Sequence, residues 1–245
     1  MEKIEFLKNA LKEINIVADE NKLMQLLKFY DMIVEKNKVM NLTAITDFEE
    51  FVTKHIVDSL EIIRVIDLSG KSLKMIDIGT GAGFPGIPLK IIYPDLEVTL
   101  FDSLKKRLVF LDEVIMSLSL KNIRTVHGRA EEYGRKNEYR EKYDLVVSRA
   151  VADMTPLCEL CIPFCKVNGL FISYKGSKGY EELQKAEGCI KILGGEKSKV
   201  SEFSLDSSKR FLLSILKKKP TDNKYPRGSG KPFKSPLYIE TRICT

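Results

Sequence analysis

Cysteine is scarce in this sequence, and the five cysteines among its 245 residues show no framework spacing. An odd number without such spacing argues against a secreted disulfide scaffold, because such domains pair their cysteines in regular patterns. No stretch approaches the roughly 18 uncharged apolar residues that a membrane-spanning helix needs. Residues 1–14 mix Glu, Lys and Asn with apolar residues, unlike a signal peptide. We therefore expect a cytoplasmic protein.

Acidic residues are scarce at the C-terminal end of the chain. Residues 209–245 contain ten Lys or Arg and two acidic residues, whereas residues 1–208 contain 30 basic and 32 acidic residues. A near-neutral body with a basic C-terminal segment suggests an anionic partner, and the alternative is an ordinary solvated surface. Aromatic and proline residues interleave with this charge, which favours contacts with phosphates and stacking on bases. The basic side chains concerned are Lys224, Arg227, Lys231 and Lys234.

The order of the apolar patterns predicts an α/β fold. Apolar residues recur at helical spacing over residues 1–66. From Leu73 onwards, short apolar runs alternate with amphipathic helices, which is typical of a parallel sheet with helices on both faces. After Gly195, two strand-like runs follow each other without a long helix, so we expect them to pair antiparallel. The predicted strands are 75–78, 98–101, 123–126, 145–147, 170–174, 200–205 and 211–216.

The prediction is therefore a mixed sheet of seven strands with helices on both faces and an N-terminal helical extension. The extension comprises residues 1–66, the alternating part residues 67–219 and the basic C-terminal segment residues 220–245. We expect the three parts to form one compact unit.

A glycine-rich loop follows the first predicted strand. It runs Asp-Ile-Gly-Thr-Gly-Ala-Gly from Asp77 to Gly83, and its glycines allow a tight turn and close approach of a ligand to backbone N–H groups. The second strand ends at Asp102, where a carboxylate can accept hydrogen bonds from both hydroxyls of a ribose. The alternative is a plain strand-to-helix turn, with Asp102 capping the next helix. A dinucleotide site would have glycine at the position of Phe84, so an NAD-dependent oxidoreductase is the weaker interpretation.

The longer string from Asp77 to Leu89, Asp-Ile-Gly-Thr-Gly-Ala-Gly-Phe-Pro-Gly-Ile-Pro-Leu, resembles the family of 16S rRNA guanine-N7 methyltransferases, also called glucose-inhibited division protein B. These are class I S-adenosylmethionine-dependent methyltransferases with a Rossmann-like fold. The resemblance covers about residues 20–237 and makes residues 67–219 the methyltransferase domain. Further matching strings are Asn41-Leu42-Thr43, His55-Ile56-Val57-Asp58-Ser59-Leu60, Gly128-Arg129-Ala130-Glu131, Ser148-Arg149-Ala150, Tyr225-Pro226-Arg227 and Gly230-Lys231-Pro232.

The resemblance implies a cofactor site at the ends of the first four strands, together with RNA contacts nearby. Arg149 is also implied to position the target base, the alternative being an ion pair at the rim of the sheet. Lys175 is implied to contact phosphates together with the basic C-terminal segment, whose deletion is expected to spare cofactor binding. The implied partner is 16S rRNA, in the small ribosomal subunit or its assembly intermediates, and we expect a monomer. The residues implied to bind S-adenosylmethionine are Asp77, Gly79, Gly81, Gly83, Phe84, Asp102, Ser103, Leu104, Ala130, Glu131 and Arg149.

The end of the fourth predicted strand favours a ring nitrogen as methyl acceptor. Guanine N7 carries a lone pair and no proton, so its methylation needs no general base. The string Ser-Arg-Ala-Val at 148–151 differs from the Asn-Pro-Pro-aromatic string common in amine methyltransferases, and it contains no cysteine nucleophile. An arginine at this position could donate hydrogen bonds to guanine O6. A non-catalytic RNA-binding or ribosome-assembly factor on the same fold remains an alternative.

Two clusters that could suggest a metal do not predict one. Cys158, Cys161 and Cys165 are expected to lie along one face of a buried helix. His55 and Asp58 stand one helical turn apart without further His or Cys ligands, so we expect a structural or RNA-facing role.

Overall fold

The computed structural model describes residues 2–238, and within them seven strands form one sheet in the order β3-β2-β1-β4-β5-β7-β6. The strands are β1 (Lys74–Ile78), β2 (Glu97–Asp102), β3 (Ile123–His127), β4 (Tyr143–Arg149), β5 (Cys165–Lys175), β6 (Gly195–Leu205) and β7 (Ser208–Lys217). Strands β1 to β5 pair in parallel, whereas β7 pairs antiparallel with both β5 and β6. The mixed seven-stranded sheet is confirmed, and the structure adds that β7 inserts between β5 and β6.

Helices connect the parallel strands and cover both faces of the sheet. The α-helices are α1 (Glu2–Glu13), α2 (Glu20–Asn37), α3 (Phe48–Phe51), α4 (Asp58–Leu60), α5 (Gly86–Ile92), α6 (Lys105–Ser117), α7 (Ala130–Tyr133), α8 (Met154–Cys161), α9 (Gly179–Ile192) and α10 (Lys231–Lys234). A π-helix, Val52–Val57, joins α3 to α4, and 3₁₀ turns follow at Glu61–Arg64 and Ile162–Phe164. In this described part of the chain, no helix is long and apolar enough to cross a membrane.

Side chains of successive strand residues enter two separate cores because they point to opposite faces of the sheet. In β4, Leu145 and Val147 join the core that contains residues of α1, α2, α5 and α6, whereas Val146 joins the core under α8 and α9. The apolar run Leu145-Val146-Val147 of β4 is fully buried, as expected for a central parallel strand that is covered on both sides.

The N-terminal helices belong to the first of these cores. Asp19 begins α2 by accepting a hydrogen bond from Lys22 N at 2.9 Å, as an N-cap residue does. Leu26 and Phe29 then recur one turn apart and are fully buried. Phe29 stacks at 5.3 Å against Phe84, in the loop after β1. The extension therefore supports the glycine-rich loop from behind.

One predicted helix ends earlier than its apolar pattern indicates. Cys158 and Cys161 lie on α8, but Cys165 is the first residue of β5, so the prediction that all three thiols share one helix face was wrong. A 3₁₀ turn with Pro163 ends the helix before the third cysteine, since proline is tolerated only in a first turn. All three thiols are buried, and burial raises their pKa values.

Candidate active site

The glycine-rich loop is held against the sheet and has little room for side chains. Gly79, Gly81 and Gly83 have φ values of +74°, +60° and +101°, a region that disfavours other residues. A Cβ on Gly79 would lie 2.4 Å from Cγ2 of Val151, and one on Gly83 would lie 2.8 Å from Cγ1 of Ile87. Gly79 and Gly83 are therefore required by both backbone conformation and packing.

Asp77 lies under this loop and is fully buried. Its Oδ2 accepts hydrogen bonds from Thr80 Oγ1 at 2.8 Å and Gly86 N at 2.9 Å, whereas its Oδ1 has no partner among the described residues. Burial raises the pKa of Asp77 to about 7, partly opposed by these two hydrogen bonds. A buried carboxylate with an unpartnered oxygen suits a ligand that carries positive charge.

Asp102 ends β2 and is tied to the same loop. Its Oδ2 accepts from Gly81 N at 2.9 Å and its Oδ1 from Leu104 N at 2.8 Å, and Arg107 Nη1 lies 3.6 Å from Oδ2. Each carboxylate oxygen has a second lone pair that can accept a ligand hydroxyl. Asp102 therefore orders the loop while keeping acceptor capacity for a ribose.

A crevice of about 290 Å³ opens beyond the ends of these strands, and we call it the β1–β3 crevice. Five residues implied to bind the cofactor line it, namely Gly79, Asp102, Ser103, Ala130 and Glu131. Asp77, Gly81 and Gly83 form the adjoining loop and its support, and Leu104 follows Ser103 as a half-exposed residue. The complete lining is Ile78, Gly79, Phe101, Asp102, Ser103, Arg107, Gly128, Arg129, Ala130, Glu131, Ala150, Val151, Leu160 and Phe233.

Phe84 is placed differently from the other residues implied to bind the cofactor. Its side chain is buried, and its ring stacks on the His55 imidazole at 4.6 Å and packs against Phe29 and Phe51. It is absent from the lining of the β1–β3 crevice. The structure therefore gives the Phe84 ring a packing role behind the loop.

A second crevice, of about 530 Å³, lies beside the first beyond the ends of β4 and β5, and we call it the β4–β5 crevice. Ala150 and Val151 line both crevices, so the residues after β4 form the boundary between them. Ala150 has a φ of +57°, a left-handed conformation that costs of order 1–3 kcal/mol for a residue with a Cβ. Strain of this kind concentrates at functional sites, and here it occurs at the boundary between the two crevices.

Arg149 lines the β4–β5 crevice and is held by the N-terminal extension. Its Nη1 donates to Asp58 Oδ2 at 2.8 Å and to the Lys54 carbonyl at 3.3 Å, and its Nη2 faces His55 Nδ1 at 3.3 Å. The guanidinium also lies 4.9 Å from the centroid of the Phe84 ring. The ion pair that the sequence left as an alternative is present, and it fixes Arg149 at the mouth of the crevice.

His55 is neutral in this arrangement. Burial and the charge of Arg149 lower its pKa to about 3. Since Nδ1 accepts from Arg149, the ring proton is on Nε2, which donates to Thr43 Oγ1 at 2.8 Å. His55 and Asp58 both reach Arg149 from the π-helix and the turn after it, and π-helical turns are frequent at functional sites.

The side chains predicted to bind RNA fall into two groups. The Lys175 side chain is 10% exposed and its Nζ pairs with Glu182 Oε2 at 2.7 Å, while Arg227 pairs with buried Glu159. These two charges are engaged within the protein, although Lys175 lines the β4–β5 crevice. The exposed side chains of the group are Lys224, Lys231 and Lys234.

Sequence reasoning missed two features of the site. One is the contact of His55 and Asp58 with Arg149, although all three residues belong to strings that carry the family resemblance. Sequence reasoning also treated the basic C-terminal segment as separate from the cofactor site, whereas Phe233 lines the β1–β3 crevice. Deleting this segment is therefore expected to disturb the crevice, contrary to the prediction from sequence.

Comparisons with known proteins find similar sequences over almost the whole chain. The family model described as rRNA small subunit methyltransferase G matches residues 22–212. The chain is 50% identical over 231 residues to "Ribosomal RNA small subunit methyltransferase G" of Lachnoclostridium phytofermentans, covering 93% of this chain and 95% of that protein. It is 47% identical to the protein of the same name in Alkaliphilus metalliredigens, covering 97% of this chain and 100% of that protein.

Solved structures show a similar fold at low identity. M. jannaschii TYW2 in complex with AdoMet aligns with a TM-score of 0.52 and 15% identity, covering 66% of this chain and 76% of that one. TrmN from Thermus thermophilus also gives a TM-score of 0.52 and 15% identity, covering 66% of this chain and 48% of that one. At these identities the likeness shows the fold alone.

Proposed function

The chain belongs to the family of ribosomal RNA small subunit methyltransferase G, and from this premise we propose that it transfers a methyl group from S-adenosylmethionine to N7 of a guanine in 16S rRNA. The observation that carries the proposal is the meeting of two crevices at Ala150 and Val151. The β1–β3 crevice would hold the cofactor and the β4–β5 crevice the target base.

The β1–β3 crevice fits the chemistry of S-adenosylmethionine. Asp102 and Ser103 offer acceptors for ribose hydroxyls, and the glycine-rich loop lets backbone approach the ligand. Asp77 lies buried beneath the glycine-rich loop with Oδ1 unpartnered, and in its ionised form it would place negative charge near the positive amino and sulfonium groups of the ligand. When bound, the cofactor supplies an electrophilic methyl group whose bond to sulfur breaks as a bond to the acceptor nitrogen forms.

Three acidic side chains line the β4–β5 crevice, namely Asp58, Asp153 and Glu182. Asp58 is paired with Arg149, and Glu182 is paired with Lys175 and accepts a hydrogen bond from Met154 N at 3.0 Å, whereas Asp153 is exposed to solvent. The carboxylates of Asp58 and Glu182 are therefore held by cations, which fits an acceptor that needs no general base. Since guanine N7 has no proton to lose, alignment in a prearranged site is the main requirement for catalysis.

Arg149 is the side chain that we propose holds the target guanine. Its contacts with Asp58, His55 and the Lys54 carbonyl use part of its five N–H donors. The remaining donors can bind guanine O6, which leaves N7 facing the boundary between the crevices. In this pose Arg149 is a catalytic residue that acts through contact with the base.

Exposed lysines of the C-terminal segment are proposed to hold the RNA backbone. Lys224, Lys231 and Lys234 project from a segment that packs beside the β1–β3 crevice. If three of them contact phosphates, replacing all three by Ala should reduce the slope of log affinity against log salt by about two to three. An unchanged slope would show that they do not contact RNA.

The decisive experiment replaces the target guanine by 7-deazaguanine, which has carbon at position 7 and keeps O6. Methylated nucleotides are first mapped in RNA from cells with and without the gene. We then expect single-turnover methylation of the guanine-containing RNA and none of the deaza-containing RNA. Continued methylation of the deaza substrate at that nucleotide would contradict N7 as the acceptor.

Cofactor binding is tested separately by calorimetry. Saturable binding of S-adenosylmethionine, without binding of NAD, is expected for the proposed enzyme. Absence of S-adenosylmethionine binding would instead support the alternative of a non-catalytic RNA-binding factor.

A further inference from the structure

The basic C-terminal segment is anchored to the protein body by hydrogen bonds of Arg140 and Arg227, most of them partly buried. Arg140 donates to the carbonyl oxygens of Thr221, Asp222 and Tyr225 at 2.6, 3.2 and 2.7 Å. Arg227 donates through Nη2 to Glu159 Oε2 at 2.7 Å, and its backbone N donates to Oε1 at 2.7 Å. These bonds fix the path of the segment up to residue 227.

This anchoring brings the short helix α10 onto α8, next to the β1–β3 crevice. Pro232 of α10 is buried, whereas Phe233 remains 51% exposed and lines the crevice together with Ala130 and Glu131. An aromatic ring left half exposed at the edge of a crevice gains burial when a flat ligand stacks on it. Lys231 and Lys234 flank this ring and are exposed.

We infer that Phe233 forms the outer wall of the cofactor site and that RNA bound to Lys231 and Lys234 holds this wall in place, so that RNA and cofactor bind cooperatively. This inference rests on the proposed function. The adenine of the cofactor would lie between Phe233 and the Ala130–Glu131 side of the crevice. The same helix would then contact the cofactor through its aromatic side chain and the RNA through its lysines.

Coupling follows because both ligands restrain one segment. Phosphates bound to Lys231 and Lys234 would hold α10 and the half-exposed Phe233 ring in place, so ordering this ring would cost less free energy when the cofactor binds. By linkage, the factor by which RNA tightens cofactor binding equals the factor by which cofactor tightens RNA binding.

The first test compares Phe233→Ala with Tyr238→Ala. Tyr238 is an exposed aromatic residue of the same segment that does not line either crevice. Calorimetry with S-adenosylmethionine should show about ten-fold weaker binding for Phe233→Ala, a value within the usual range for loss of a base-stacking ring. Tyr238→Ala should bind within two-fold of wild type, and Phe233→Tyr should restore most of the affinity.

The second test measures coupling with S-adenosylhomocysteine, which permits no turnover. Its affinity for the wild-type protein should rise at least about five-fold in the presence of unmethylated 16S rRNA. Measured with RNA at a concentration that saturates each protein, a double variant, Lys231→Ala with Lys234→Ala, should lose this increase. The Phe233→Ala variant should also lose the increase.

Two results would overturn the inference. One is wild-type affinity of Phe233→Ala for S-adenosylmethionine, which would remove the ring from the site. The other is an RNA-independent affinity of the wild-type protein for S-adenosylhomocysteine, which would remove the coupling. Failure of the wild-type protein to bind S-adenosylmethionine at all would refute the proposed function itself, and so is distinguishable from both.

Discussion

The ion pair between Asp58 and Arg149 offers the sharpest test of how the N-terminal extension acts on the site. The side chains of the pair are 9% and 13% exposed, and the Oδ2–Nη1 distance is 2.8 Å. Removing one partner of such a pair leaves the other charge buried without compensation, which destabilises a protein by about 3–5 kcal/mol. We expect the destabilisation by Asp58→Ala to lie at the lower end of this range, because Arg149 keeps its contacts with His55 and the Lys54 carbonyl.

Thermal unfolding measures this loss directly. For a protein of this size, each kcal/mol lowers the melting temperature by roughly 2–4 °C, so a 3 kcal/mol loss predicts a shift of about 6–12 °C. The control is Glu113→Gln, which removes the exposed pair between Glu113 and Lys36. Exposed pairs contribute about 0.2–1 kcal/mol, so this control should melt close to wild type.

Activity separates positioning from stability. Asp58 is a positioning residue, because it touches Arg149 rather than the base. At a temperature where Asp58→Ala is folded, we expect single-turnover methylation to fall about 100-fold, the effect typical of a misplaced group. The dissociation constant for S-adenosylmethionine should change less than two-fold, because the β1–β3 crevice does not include Asp58.

The double-mutant cycle decides whether the effect passes through Arg149. In an Arg149→Met background, Asp58→Ala should destabilise the protein by less than half as much as in wild type. Asp58→Asn, which keeps the shape and one acceptor oxygen, should lie between wild type and Asp58→Ala. Equal shifts for Asp58→Ala and Glu113→Gln, or equal effects of Asp58→Ala in both backgrounds, would refute the reasoning.

Three further predictions concern the β1–β3 crevice and the loop beside it. Asp102→Ala should weaken S-adenosylmethionine binding by about 1.5–3 kcal/mol, the usual contribution of hydrogen bonds to a charged group, and an unchanged dissociation constant in calorimetry would remove Asp102 from the site. Burial places the pKa of Asp77 at about 7, above its ordinary 3.8, so the carboxyl group is protonated below pH 7 and ionised above it. Because a bound cation favours the ionised form, the affinity for S-adenosylmethionine should rise as the pH increases from 6 to 8. Binding should also release protons, which calorimetry in two buffers would show. Asp77→Asn should abolish this pH dependence, and an equal dependence in the variant would assign it to another group. Gly79→Ala should destabilise the protein by more than about 1–2 kcal/mol, the cost of its left-handed conformation alone, because the new Cβ also meets Val151. Adding Val151→Ala should recover only the packing part, and a denaturant midpoint equal to wild type for Gly79→Ala would contradict the account.

Local sequence was sufficient for most of the fold and for the position of the glycine-rich loop. Alternation of apolar runs predicted seven strands, and each contains the residues expected for it. The signal is strongest in the central strands β1, β2 and β4, which are buried along almost their whole length and therefore carry nearly continuous apolar sequence. The glycine-rich loop was identified for a different reason: the positive φ values at Gly79, Gly81 and Gly83 allow few other residues. The sequence did not predict that α8 ends before Cys165, because apolar spacing alone does not distinguish a buried helix from a buried strand at this position.

Contacts between distant parts of the chain were decided by tertiary structure. The sequence by itself determined that Arg149 follows a buried strand, that His55 and Asp58 share a helical turn, and that lysines surround Phe233. Only the packing of the N-terminal extension on the sheet brings Asp58 to 2.8 Å from Arg149, across 91 residues of sequence. Only the anchoring of the C-terminal segment by Arg140 and Glu159 places Phe233 on the β1–β3 crevice. Local patterns report which face of an element is buried, whereas the partner across that face depends on how whole elements pack together.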